Sequence, residues 1–228
     1  MMDKIIQAAQ IIKDADAILI SASNGLSISE GVNIFANNQA FHQYFSDFQT
    51  KYGIQSILQG ASYNFPADER AAFITQLKQY LLDDYHGSSS FDSLKAIIHS
   101  KDYFVVTSNA DKHFQVNGLD QIWEIEGNFF DLQMRSPQWH AQQAAFQDFV
   151  KQYRGKKLVQ LELGIGAANQ LIKAPLMRMV AMNPSWSYIT MNLANEINIM
   201  PVIADRSTAL TGDLSKTLEQ LKEAIDHE

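Results

Sequence analysis

Short apolar runs, most of them closed by a small polar loop and several separated by helical stretches, constrain this chain more than any other feature of it. They are Ala17-Ile-Leu-Ile-Ser21, Tyr103-Phe-Val-Val-Thr107, Ile122-Trp-Glu-Ile125, Leu158-Val-Gln-Leu-Glu-Leu163, Ser187-Tyr-Ile-Thr-Met191 and Met200-Pro-Val-Ile-Ala204. All fall far short of the ~20 apolar residues of a membrane span and read as buried strands. Ahead of the first, Ile5, Ile6, Ala9 and Ile12 recur at helical spacing within Asp3 to Lys13, and residues 91–99, 139–153 and 214–224 carry similar patterns. Strands joined by helices predict an α/β fold, a Rossmann-like parallel sheet with right-handed crossovers. Residues 39–85 break the alternation. They hold no strand, concentrate aromatics (Phe41, Tyr44, Phe45, Phe48, Tyr52) and contain a helix start at Pro66-Ala-Asp-Glu-Arg70, which predicts a helical insert. No internal repeat or low-complexity tract appears, and 228 residues suit a single domain, 1–228, carrying that insert.

In such a sheet ligands bind beyond the carboxyl ends of the strands, so the loops there are where chemistry is expected. Ala22-Ser23-Asn24-Gly25 is small and glycine-bearing and precedes Ile28-Ser-Glu-Gly31, a place where backbone N–H groups meet a phosphate at a helix start. Ser108-Asn109-Ala110-Asp111 sets an amide and a carboxylate two residues apart. Glu126-Gly-Asn128 adds a second carboxylate, Gly164-Ile165-Gly166 lets backbone approach a ligand, and Asn192 ends a strand with a side chain able to bond a ribose hydroxyl. Each loop alone is an ordinary turn composition. Their recurrence at successive strand ends points to a binding site.

Composition removes other classes. The chain has no cysteine, hence no disulfide, no thiolate nucleophile and no cysteine-held zinc or iron–sulfur centre. A net charge of −7 with scattered basic residues argues against nucleic acid. The densest basic group, Arg154-Gly-Lys-Lys157, reads as a solvated turn. Met1-Met2-Asp3-Lys4 leads into no secretory hydrophobic region, so a cytoplasmic location without membrane contact is expected. His42, His86, His99, His113 and His227 lack metal-site spacing and read as surface or satisfied core histidines. Met177, Met179 and Met182 read as gap-filling core.

The order of these motifs resembles the sirtuin family over almost the whole chain. That family carries G-A-G-I-S followed by T-A-A-G-I-P-D-F-R, and here Ser23-Asn24-Gly25-Leu26-Ser27 leads into Ile28-Ser-Glu-Gly31-Val-Asn-Ile-Phe35-Ala36. Thr107-Ser-Asn109-Ala-Asp111 is similar to its T-Q-N-I-D, Gly164-Ile-Gly166 to its G-T-S, and Gly212-Asp213 to its carboxyl end. The macrodomain-linked class M branch is more similar still, through Thr107 to Leu119, Glu126 to His140 and Leu161-Glu-Leu-Gly-Ile-Gly166. The resemblance implies NAD as cofactor. It places Asn109 and Asp111 at the nicotinamide ribose and the attacking nucleophile. It places Ala22, Ser23, Asn24, Gly25, Phe35, Ser108, Gly164, Ile165, Gly166 and Asn192 around the dinucleotide.

The departures are informative. The family's two cysteine pairs that hold zinc are missing from the corresponding span, about 133–157, so the zinc module is lost or reduced, no metal is expected, and Trp139 and Phe146 supply a substitute core. Where deacylating sirtuins have histidine and class M members glutamine, this chain has Glu126, a carboxylate able to stabilise positive charge at an anomeric carbon and to accept a proton. Ala36 replaces an arginine, and Asn33 and Ile34 replace a Pro-Asp pair. No hydrophobic-F-G-E segment for an acyl-lysine strand lies between Gln133 and Leu161. The resemblance implies an NAD-dependent protein ADP-ribosyltransferase whose partners are an acceptor protein, of the lipoyl-carrier type, and a macrodomain hydrolase. A deacylase, an NAD glycohydrolase and a non-catalytic NAD or ADP-ribose binding module are the alternatives.

Overall fold

The computed structural model describes residues 2–99 and 101–226. Helix α1 (Met2–Asp14) buries Ile5, Ala8, Ala9 and Ile12 on one stripe and feeds strand β1 (Ala17–Ala22), which is buried at every residue. Five further strands follow: β2 (Asp102–Thr107), β3 (Ile122–Glu124), β4 (Leu158–Leu163), β5 (Trp186–Asn192) and β6 (Ser207–Thr211). They pair in the order β3-β2-β1-β4-β5-β6, every neighbour parallel. The order reverses between β1 and β4, and a ligand crevice opens at such a reversal.

Because successive strand residues face opposite sides, the sheet serves two cores. One side packs Ile18, Ile20, Val105, Leu161 and Ile189 under α1, α6 (Ser89–Ile98) and α10 (Leu214–Asp226). The other packs Leu19, Phe104, Val106, Trp186 and Tyr188 under α8 (Pro137–Gln152) and α9 (Lys173–Met182). The insert forms a third core through α3 (Gln39–Tyr52), α4 (Ile57–Ser62) and α5 (Ala67–Lys78), the last continuing as a π-helical turn, Gln79–Asp83. Phe41, Phe45, Phe48, Phe65 and Phe73 fill it edge to face and tilted. The aromatic density that marked this stretch in the sequence is therefore its core.

Helix α8 occupies the span where a zinc module was expected to be lost or reduced. Ser136 caps it by accepting from Trp139 N (3.2 Å), Pro137 opens its first turn, and Trp139 and Phe146 lean on Trp123 of β3. Trp139 Nε1 donates to the Ile125 carbonyl at 3.0 Å, so the indole is both buried and satisfied. Among the described residues no group of three His, Asp or Glu could hold a metal ion, and no helix is long and apolar enough to cross a membrane.

Three expectations are corrected. Met200–Ala204 is not a strand: Pro201–Arg206 is 3-10 helix, Val202 is 60% exposed, and the strand is Ser207–Thr211. β6 is an edge strand that buries only alternate residues, so it lacks the continuous apolar run of a central parallel strand. The small loop after β1 is shorter than it reads, because α2 (Asn24–Ser29) begins at Asn24 with Ser23 as its cap residue. Met182 is 72% exposed, whereas Met177 is core. His227 lies outside the described residues.

Candidate functional site

The loops at the carboxyl end of the sheet converge on the reversal. Two glycines make the convergence possible. A Cβ on Gly25 would sit 2.5 Å from Gly164 Cα, and one on Gly164, whose φ is +61°, would sit 2.6 Å from Gly25 Cα. The two backbones therefore touch, and Gly25 N donates to the Gly164 carbonyl at 3.1 Å. Side by side with them, the Ala22 carbonyl accepts from Thr107 Oγ1 (3.0 Å), Ser108 Oγ donates to Ser23 Oγ (3.0 Å), and Thr107 Oγ1 accepts from Asn109 N (3.0 Å). The loop after β2 is thus stitched to the loop after β1 before any side chain reaches solvent.

Asn109 and Asp111 follow, and their states differ. Asp111, 5% exposed, accepts from Ser27 Oγ (2.6 Å) through one oxygen and from His113 N (3.0 Å) through the other, the second bond opening the short helix α7 (His113–Val116). Asn109 is 6% exposed and its Oδ1 has no hydrogen-bond partner. Asn109 lines a narrow throat of about 10 Å³ together with Asn24, Ser27, Phe35, Asp111 and Phe129, room for about one water. An unpaired buried amide oxygen costs roughly 1–3 kcal/mol, and of the described side chains left with such an atom, Asn109 is the one that lines this space.

Larger cavities flank the throat. One, of about 410 Å³, shares the Asn24, Ile34, Phe35, Ala110 and Phe129 walls and adds Ser108, Leu58 and Glu126. The other, of about 260 Å³, lies over the strand reversal between Gly25, Ile28, Gly164, Asn192 and Asp213. Together they reach the size of ordinary small-molecule sites, ~300–1,000 Å³. The predicted residues Asn24, Gly25, Phe35, Ser108, Asn109, Asp111, Glu126, Gly164 and Asn192 all line one of the three spaces. Ala22, Ser23, Ile165 and Gly166 line none: the Ile165 side chain is core, and a Cβ added at Gly166 would lie 3.6 Å from Glu196 Oε2. Asn192 turns its Nδ2 to the Ile165 carbonyl at 2.8 Å, so part of its amide holds a neighbouring loop.

Other buried polar residues organise the loops around these spaces, His113 among them as a satisfied core histidine. Asn128 organises the loop after β3, its Oδ1 accepting from Phe130, Asp131 and Leu132 N while its Nδ2 reaches the buried Glu124. Phe129 N donates to the Ala110 carbonyl at 3.1 Å, which fixes that loop beside Asn109. His113 is buried between Glu30 (Nδ1 to Oε1, 3.3 Å) and the Leu81 carbonyl (Nε2, 2.9 Å), stacked on Tyr85. Both ring nitrogens face acceptors, the geometry of an imidazolium. Burial works against that charge, yet the Glu30 hydrogen bond and the fields of Asp111 and Glu30 outweigh it and raise the His113 pKa above the ordinary histidine value. Glu162 and Lys173 form a second buried pair below the Gly164 loop. The polar letters Gln160 and Glu162 inside an otherwise apolar strand were the available signal, since buried polar groups demand partners.

No family model matches the chain. A curated relative from Staphylococcus aureus (strain Mu50 / ATCC 700699), a protein ADP-ribosyltransferase, is 24% identical, with 94% of this chain and 87% of the relative covered. Among solved structures, a Sir2 homologue–NAD complex superposes with a TM-score of 0.63 at 11% identity, covering 96% of this chain and 93% of the other. A Sir2–p53 peptide–NAD complex gives 0.57 at 13% identity, over 95% and 96%. The fold is that of the Sir2 enzymes. That likeness fixes architecture and leaves the chemistry to be argued from the site.

Proposed function

We propose that this protein is a sirtuin-type, NAD-dependent protein ADP-ribosyltransferase, which releases nicotinamide and modifies an acceptor protein. The observation that carries the reading is the unpaired, buried Oδ1 of Asn109, whose residue lines a small space that shares walls with the cavity over the strand reversal and with a second cavity bordered by a carboxylate, Glu126. The residues fit a dinucleotide: touching glycines leave room at the reversal, Asp213 and Asn192 border it, and Phe35 offers an exposed ring at the junction. NAD would supply the ADP-ribosyl group, with nicotinamide as leaving group. What the chain contributes is position and charge. Asn109 offers an acceptor to the nicotinamide end, Asp111 holds Ser27 and the start of α7 in place, and Glu126 takes the proton of the incoming nucleophile.

Acceptor access favours transfer over deacylation. The stretch between Gln133 and Leu161, where an acyl-lysine strand would find its partner, is occupied by α8 and its aromatic packing. The name of the Staphylococcus relative points the same way. A lipoyl-carrier protein is the first acceptor to test, with a macrodomain hydrolase as the enzyme that removes the mark.

The test is incubation with NAD labelled on the adenine, with and without a lipoyl-carrier protein, separating labelled protein from free ADP-ribose. Label on the carrier with wild type and none with Asn109→Ala establishes the transferase. Free ADP-ribose alone makes the protein a glycohydrolase, O-acyl-ADP-ribose from an acylated peptide makes it a deacylase, and bound NAD without turnover makes it a binding module.

A further inference from the structure

A stripe of polar residues runs under α9 on one face of the sheet. Alternation along the strands puts Ser21 of β1, Gln160 and Glu162 of β4, and Tyr188 and Thr190 of β5 on that face, all buried. Gln160 Nε2 donates to Ser21 Oγ at 2.6 Å. Glu162 accepts from Tyr188 OH (2.6 Å), Thr190 Oγ1 (2.8 Å) and the ammonium of Lys173 (2.9 Å), the first residue of α9. The Lys173 and Glu162 side chains are both completely buried. Burying two charges is costly unless every proton and lone pair is used, and here they are used on something specific. The two remaining protons of the Lys173 ammonium go to the Ile165 carbonyl (3.0 Å) and the Glu196 carbonyl (3.2 Å).

Those carbonyls belong to the loops that follow β4 and β5. The first loop carries Gly164, which walls the cavity over the strand reversal, and the second begins at Asn192 and Leu193 on the opposite wall. Two further bonds cross the same gap: Asn192 Nδ2 to the Ile165 carbonyl (2.8 Å), and Ala167 N to Glu196 Oε2 (2.8 Å). On its other side the Gly164 backbone is locked against Gly25. We infer that Lys173 is the positioning residue of the nucleotide cleft, its buried ammonium tying the loops after β4 and β5 at the spacing a dinucleotide needs. It lines none of the three cavities, so it would act through the loops it holds. The inference rests on the NAD reading for the identity of the ligand, whereas the tether itself is a property of the chain.

The experiment compares the full-length wild type, Lys173→Met, and the double variant Glu162→Gln with Lys173→Met, which leaves no lone buried charge. Three readouts are taken: NAD affinity by calorimetry, KM and kcat for nicotinamide release, and deuterium uptake of the 164–167 and 194–197 amides without ligand. Positioning predicts that both variants bind NAD at least tenfold more weakly, with KM raised and kcat within threefold, and that uptake rises in both segments. The double variant should recover the wild-type melting temperature without recovering affinity, which a merely structural pair would not do. A double variant that melts like wild type and binds NAD within twofold of it overturns the inference, as does unchanged uptake in both segments. If wild type itself binds no NAD, the functional reading fails, and uptake still decides whether Lys173 holds the loops.

Discussion

Glu126 stands exposed at the wall of the 410 Å³ cavity, beside Asn24 and Phe35 and one turn of loop from the buried Glu124. A carboxylate there can accept a proton from a nucleophile entering the cavity, and general-base catalysis of that kind is worth roughly 10²- to 10⁴-fold. Glu126→Gln should therefore lower kcat for transfer by that range while leaving NAD affinity near wild type, as steady-state kinetics on both substrates will read; undiminished transfer would remove the base from the mechanism. Gly25 and Gly164 are the residues where side-chain size matters most. An alanine at Gly25 brings its Cβ within 2.5 Å of backbone that cannot step aside, and overpacking of this sort costs ~1–3 kcal/mol. Gly25→Ala should lower the denaturation midpoint accordingly and weaken NAD binding with it. From the sequence, these glycines read as leaving space for a ligand. In the fold they leave space first for each other, a contact between residues 139 positions apart that no local pattern announces. Asn109 reads in the sequence as a candidate from its place after a buried strand, whereas its unpaired oxygen is a property of the fold that no local pattern announces.

At the scale of elements, the joint between the insert and the sheet is electrostatic. His113, at the start of α7, reaches the π-helical turn of the insert through Leu81 and the end of α2 through Glu30, with Tyr85 stacked above it and Asp111 two residues away. Its folded-state pKa is raised above the unfolded value of ~6.5, so its contribution to stability is complete below about pH 6.5 and is lost as pH rises through the folded pKa. Urea midpoints between pH 6 and 9 should fall more steeply for wild type than for His113→Gln; parallel profiles would show that the imidazolium contributes nothing. Helix α8 makes a separate case. It occupies the span where a zinc module was expected to be lost or reduced, and its anchors are Trp139, Phe146 and Phe149 on Trp123 and Phe104. A chelator should leave the melting temperature unmoved, whereas Trp139→Ala should cost ~3–5 kcal/mol by calorimetry or denaturant titration. The helical period of 139–153 and its aromatics were readable in advance. β6 was not, because an edge strand with one buried face spells an alternation, Ser207-Thr-Ala-Leu-Thr211, weaker than the apolar run just before it.

Across the whole molecule, the strand ends form one wall of the site and the edge of the insert forms the other, with Ile34 and Leu58 facing Ser108 and Glu126 over the larger cavity. The space at Asn109 holds only about 10 Å³, so on the proposed NAD reading a nicotinamide ring reaches the Asn109 side chain only if the segment carrying Val32 to Phe35 yields. Binding must then do two things: open that segment, and afterwards hold it against the sheet. A ligand that binds only the folded state stabilises it by RT ln(1 + [L]/Kd), ~2.7 kcal/mol at a hundredfold excess over Kd, and for a chain of this size each kcal/mol moves the melting temperature ~2–4 °C. NAD at that excess should raise the midpoint by roughly 5–10 °C and slow exchange of the 31–38 amides. ADP-ribose, which lacks the nicotinamide, should give part of the midpoint shift through the strand-reversal cavity and little of the protection at 31–38. Asn109→Ala should bring the NAD response down to the ADP-ribose response, because it removes the group that the nicotinamide end would engage. Equal protection by both ligands in wild type would place the dinucleotide outside the throat and detach Asn109 from recognition of nicotinamide.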